Sequence, residues 1–126
     1  MSFYIDNIEE QTKNNTSFRK VLFTGSHMQL VVMSLKPREE IGQEVHDTVD
    51  QFFRIEEGEA KVIVDGVEHT AGEDMVFIVP AGADHNVINT SDTEDLKLYT
   101  IYAPANHPAN TEHVTKEEAM EAEEHH

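Results

Sequence analysis

Glu44-Val-His-Asp-Thr-Val-Asp-Gln-Phe-Phe-Arg-Ile-Glu-Glu-Gly58 is the stretch that decides how the chain is read. It carries three side chains with a lone pair for a metal: Glu44, His46 and Gln51. Glu44 and His46 are two apart, so on a strand they share a face. Gln51 opens an apolar run to Ile55, and a turn between the two segments would gather all three donors. A fourth donor, His85, stands in a second loop, Val79-Pro-Ala-Gly-Ala-Asp-His-Asn86.

Outward from this stretch the chain reads as short strands. Upstream lie Phe18–Thr24, a Gly25-Ser26 turn and Met28–Lys36, which Pro37 ends because it cannot donate to a ladder. Leu30-Val31-Val32-Met33 is apolar on both faces and suits a strand covered on both sides. With Gln51 inward, Phe53 and Ile55 also point inward, while Phe52 and Arg54 point out. Ala60–Val64 and Val67–Thr70 flank Asp65-Gly66, a type I′ hairpin signal because both turn residues need positive φ. Val76–Val79, an alternating His85, Val87 and Asn89, and Leu96–Ala103 complete the set. No helix separates these strands, so the expectation is an all-β sandwich or barrel over residues 18–103. Residues 1–17 read as an N-terminal arm with a short helix, capped by Asn7 with Glu10 three residues on. Residues 104–126 read as a C-terminal extension, in which Thr115 and Glu118 form a capping box before an acidic helix.

Length and charge narrow the function. A chain of 126 residues is one domain. Nine Lys and Arg against 25 Asp and Glu give a net charge of −16, which excludes nucleic acid and anionic membranes as partners. No apolar run approaches the roughly 20 residues of a membrane span. There is no cysteine, and the first residues lack the basic and apolar regions of a signal peptide. A cytoplasmic protein is expected. The two-sided strand Leu30–Met33 and the outward Phe52 would leave apolar surface on a monomer, so a homodimer is expected too.

The two donor-bearing segments resemble the signature motifs of the cupin superfamily. Against the first motif, G-x5-H-x-H-x4-E-x6-G, Glu44 falls on the first His, His46 on the second, Gln51 on the Glu and Gly58 on the last Gly. Arg38 replaces the opening Gly. Against the second, G-x5-P-x-G-x2-H-x3-N, Pro80, Gly82, His85 and Asn89 match, and Asp74 replaces the first Gly. The resemblance covers roughly residues 20–103 and implies a jelly-roll β-barrel with short helical extensions at both ends. Small single-domain members of this kind are likened to mannose-6-phosphate isomerase.

The resemblance also implies a metal site of Glu44, His46, Gln51 and His85. Two nitrogens and two oxygens suit Zn, Mn, Fe, Co or Ni. A carboxylate inside a barrel needs a partner, which favours this reading over one of plain polar loop residues. Glu44 is either the fourth ligand or a general base moving a proton between adjacent carbons. The expected activity is isomerase- or lyase-like, on a small sugar or carbonyl compound. Phosphosugars are disfavoured because a phosphate wants Arg or Lys and Arg54 points out. A non-catalytic small-ligand or metal-binding barrel and a metal-dependent dioxygenase are the alternatives. His27 and His69 read as surface residues; His107 and His113 lie in the extension, where folding over the barrel mouth is the less favoured alternative. Asn89 reads as a loop anchor, and Phe53, Tyr99 and Tyr102 as core.

Overall fold

Period-two alternation sets the layers of the computed structural model, which describes residues 2–124. In β4 (Asp50–Glu57), Gln51, Phe53 and Ile55 are buried, while Phe52 and Arg54 between them are half-buried on the other face. The remaining strands are β1 (Arg19–Thr24), β2 (Gln29–Leu35), β3 (Glu44–Val45), β5 (Ala60–Val64), β6 (Val67–Ala71), β7 (Val76–Val79), β8 (Asp84–Asn89), β9 (Leu96–Ala103) and β10 (Glu112–His113). They form two antiparallel sheets, ordered β10-β1-β2-β9-β4-β7 and β3-β8-β5-β6. Facing each other, the sheets make the expected jelly-roll barrel. Two short helices, α1 (Ile8–Asn14) and α2 (Lys116–Glu124), flank it, and neither is long and apolar enough to cross a membrane.

The barrel interior is graded along its strands. Met33, Leu35, Ile55, Leu96, Leu98, Val62 and Val87 fill one part of the interior and are almost fully buried. Each contributes roughly 1.5–3 kcal/mol of apolar burial. Further along the same inward face, cross-strand neighbours Gln29, Tyr102 and Gln51 make the lining polar. That change, within one face of one sheet, positions the site.

Turn chemistry fixes the connections. Asp65 (φ 48°) and Gly66 (φ 82°) make the expected hairpin between Val64 and Val67. At Gly58 (φ 97°) a Cβ would stand 3.0 Å from the Asp95 carbonyl oxygen, so the close approach of backbone to backbone excludes a side chain. The two positions where the motifs lose their glycine keep its conformation: Arg38 has φ 64° and Asp74 φ 67°.

Both ends of the chain join the barrel. The Asn7 side chain accepts from the Glu10 N–H at 3.0 Å and starts α1, as its spacing suggests. This helix lies on the outer face of β2, β4 and β9, and Val32 beneath it is buried. Lys97 anchors the arm by donating to the Asn15 carbonyl and the Ser34 hydroxyl. The second cover of the Leu30–Met33 strand is therefore the chain's own arm, a correction to the argument that a partner must supply it. Phe52 packs against Tyr99, with ring centroids 6.1 Å apart. Tyr99 is thus half-buried on the outer face, whereas Phe53 and Tyr102 are core as expected. Beyond residue 103 the extension folds back, and β10 pairs with β1 through Arg19↔His113 and Lys20↔Glu112. The sheet thus runs past the boundary drawn at 103. Thr115 caps α2 by accepting from the Glu118 N–H at 3.2 Å. His125 and His126 lie outside the described residues.

Candidate metal centre

Backbone pairing places the donors. Glu44 on β3 stands directly opposite His85 on β8. His46 follows β3, and its carbonyl accepts from the Gly82 N–H at 2.9 Å, tying the first motif's loop to the second. The Pro80-Ala81-Gly82 turn is further held by the Ala81 N–H, which donates to Asp50 Oδ1 at 2.9 Å. The ligand atoms of Glu44, His46 and His85 consequently lie within 4.8 Å of one another.

Gln51 is supplied by β4, opposite Tyr102, whose ring meets that of His46 edge-on at 6.0 Å. Its amide orientation follows from chemistry. Thr100 Oγ1 spends its only proton on the Phe52 carbonyl at 2.8 Å. It can then only accept from Gln51, through Nε2 at 3.0 Å. Gln51 Oε1 is left buried with no hydrogen-bond partner, as expected of an oxygen reserved for a ligand.

The imidazoles are oriented in the same way. His85 Nδ1 lies 3.2 Å from the Ala83 carbonyl, which can only accept, so Nδ1 carries the proton and Nε2 keeps its lone pair. His46 Nε2–H donates to Glu44 Oε2 at 2.9 Å. In this state the His46 Nε2 lone pair is taken by a proton, which a metal held by His46 and Glu44 would replace. Burial raises the carboxyl pKa of Glu44. The His46 hydrogen bond and the charges of Arg19, His46 and His85 outweigh that, and the net shift is downward. Glu44 is therefore held as a carboxylate, the form a metal binds.

Sequence reasoning undervalued two neighbours. His107, for which folding over the barrel was the less favoured alternative, does cover the inner lining: its ring meets Tyr102 edge-on at 5.1 Å, and its Nε2 lies 3.2 Å from the Tyr102 hydroxyl. Burial pushes the His107 pKa down to about 3 and the Tyr102 phenol up to about 12, so both are neutral. Arg19 received no role at all. Its guanidinium is buried, with Nε and Nη1 unpartnered. Period-two alternation with the buried Val21 was the signal that placed it inward. Other expectations hold: His27 and His69 are exposed, and Asn89 donates to the carbonyls of Leu35, Lys36 and Glu94 while accepting from the Ser91 N–H.

A polar end of a jelly-roll, carrying donors from two loop motifs, is where this architecture meets known proteins. The cupin domain pattern matches residues 31–102. The chain is a cupin. It is 46% identical to the Bacillus subtilis protein YrkC over 127 residues, covering 96% of this chain and 68% of that protein. A protein of Acanthamoeba polyphaga mimivirus is 46% identical over 108 residues, 83% of this cupin and 68% of the viral protein. Among solved structures, BH2720 from Bacillus halodurans superposes with a TM-score of 0.91 at 43% identity, covering 94% of this cupin and 93% of that chain.

Proposed function

We propose that this cupin holds a divalent metal ion on Glu44, His46, Gln51 and His85 and acts as an isomerase- or lyase-like enzyme on a small carbonyl compound. The observation that carries the metal reading is the convergence of Glu44, His46 and His85. The orphaned Gln51 Oε1 supports a fourth donor. A bound ion would supply Lewis acidity to a carbonyl or hydroxyl oxygen. The lowered pKa of Glu44 favours ligand over base, because a weakly basic carboxylate is a poor proton acceptor near neutrality. Phe53, packed edge-on to His85 at 6.2 Å and stacked on Phe77 at 4.6 Å, would keep one wall of the site dry.

The test is metal content by plasma mass spectrometry, on protein made without a tag and incubated with Zn, Mn, Fe, Co and Ni salts. Stoichiometric metal is expected, and His46→Ala or His85→Ala should each release it. Wild-type protein that stays metal-free would overturn the reading and bring forward a non-catalytic small-ligand barrel. A dioxygenase is the weaker enzymatic alternative, since four protein ligands leave few open positions.

We also propose a homodimer in the cytoplasm. Ile78 is 65% exposed and Val76 45%, on β7 at the edge of the larger sheet, and Phe3 and Ile5 of the arm are exposed beyond them in degree. A second copy pairing there would cover an apolar edge strand. The compartment is supported by a highly charged chain that uses no cysteine. Light scattering at micromolar concentration should give twice the mass of the chain; a monomer would end the dimer proposal.

A further inference from the structure

Among the described residues Arg19 is the least exposed Lys, Arg, Asp or Glu. It stands on β1 opposite Met33 of β2, and both side chains are turned to the barrel interior. Only 2% of the residue is exposed, and both Nε and Nη1 lack a hydrogen-bond partner. Among the described residues no carboxylate lies within ion-pairing distance of it. A buried guanidinium without an anion is costly, by several kcal/mol even after relaxation. The barrel therefore stores an unmet demand for negative charge.

The same interior holds an unmet acceptor, Gln51 Oε1, and the Glu44–His46–His85 trio. The field of Arg19 reaches this group, since its charge acts on Glu44, Tyr102, His107 and His113. With a divalent ion in place, ion and guanidinium would bring three positive charges against the one negative charge of Glu44. A neutral sugar leaves that imbalance standing; an anionic ligand removes it.

We propose that Arg19 is the ligand-recognition residue of the barrel, and that the ligand is a small organic acid. Its carboxylate is taken by the Arg19 guanidinium, and a second oxygen, keto or hydroxyl, faces Glu44, His46, Gln51 and His85. The inference rests on the metal reading above and names its substrate class. A carboxylate is chosen over a phosphate because Arg19 acts alone. Lys97 is committed to Asn15 and Ser34, Arg54 to Glu56 and Asp74, and Lys61 to Glu68. A phosphate dianion wants more than one cation.

The experiment is calorimetric titration of the metal-loaded protein with pyruvate, lactate and malonate, with pyruvamide and inorganic phosphate as controls. At least one acid should bind, and pyruvamide, which lacks the charge, should bind at least tenfold more weakly than pyruvate or not at all. Arg19→Met should lose acid binding by about 10- to 150-fold, the range of a charge-assisted hydrogen bond, while metal content stays stoichiometric. Arg19→Lys should recover part of it. Wild-type protein alone can decide the matter if the variants fail to fold, because the comparison of acid with amide needs no mutation. Loaded protein that ignores all three acids, binds pyruvamide as well as pyruvate, or prefers phosphate overturns the proposal. So does an Arg19→Met protein that binds acids normally. A failure of the metal reading is seen separately, as absent metal in the mass spectrum.

Discussion

His107 should make this cupin acid-sensitive at a pH where its carboxylates are still ionised. Its pKa is about 3 in the folded protein, because burial opposes the charged ring, against 6.5 for an ordinary His. The folded value is depressed, so between pH 6.5 and 3 the unfolded chain binds the extra proton. Stability is complete above about pH 7 and falls as pH drops through 6.5. At pH 5 the two values correspond to a loss of about 2 kcal/mol. A chain of 126 residues unfolds with an entropy of about 0.26 kcal/mol/K, so Tm should drop by roughly 7–8 °C between pH 7.5 and 5 on this account alone. That is an upper figure, since local opening of residues 104–111 would let the ring take its proton without global unfolding. The assay is thermal unfolding of wild type and His107→Gln at both pH values. Glutamine keeps a polar partner for the Tyr102 hydroxyl but does not titrate. The variant should lose most of the pH-dependent drop, and the difference between the two proteins cancels the general charge effect of a −16 chain. Glu44, also depressed, acts in the same direction but at lower pH, and His113, which burial likewise lowers, contributes equally to both proteins, so the difference between wild type and His107→Gln isolates His107. An NMR titration of the folded protein with the His107 midpoint near 6.5 would refute the reasoning.

Asn89→Leu should cost about 2–4 kcal/mol in chemical denaturation, because one buried and two partly buried carbonyls lose their donor at once. Gly58→Ala should destabilise by at least about 1 kcal/mol, from positive φ and the 3.0 Å approach to the Asp95 oxygen. Arg38→Gly should do the opposite, raising stability by about 0.5–1 kcal/mol, since glycine relieves a φ of 64° and the exposed ion pair with Asp92 contributes little.

The strands were legible because each carries a local signal that the fold obeys. Asp65-Gly66 sets a hairpin by its own dihedrals, and alternation in Gln51–Ile55 names the inward face without reference to the rest of the chain. Glu44 and His85, whose ligand atoms lie close to that of His46, sit opposite each other on neighbouring strands, whereas His46 follows β3 and is placed by the bond from the Gly82 N–H to its carbonyl. What stayed hidden depends on long-range return of the chain. His107 reaches the Tyr102 hydroxyl because the Gln29 side chain holds its backbone, accepting from the Asn106 and His107 N–H groups and donating to the His107 carbonyl, and nothing within residues 104–114 announces that contact. Arg19 was hidden for a different reason. Its neighbours Phe18 and Leu22 are as apolar as Val21 and Phe23, so alternation in β1 is weak, and a charged side chain is by default assigned to solvent.

The exchange of Gln51 for the usual carboxylate, and of Glu44 for the usual first His, can be argued from one hydroxyl. Thr100 gives its proton to the Phe52 carbonyl and offers position 51 only a lone pair. A donor is needed there, and glutamine has one while a carboxylate has none. With glutamine at 51 the negative charge must come from elsewhere, and Glu44 is the donor site that shares a rung with His85. On this argument Gln51→Glu has two opposed effects. The metal-free protein should lose about 1–2 kcal/mol, because a carboxylate oxygen meets the Thr100 lone pair or strips Phe52 of its partner. Metal should stabilise the variant more than wild type, since a second carboxylate faces the ion. Adding Thr100→Val should cost less in the Gln51→Glu background than in wild type, because it removes the opposed lone pair while in both it leaves the Phe52 carbonyl without its donor. If Gln51→Glu leaves metal-free stability unchanged, or if Thr100→Val costs as much in the variant as in wild type, Thr100 does not dictate the residue at 51 and the exchange of donors has another cause.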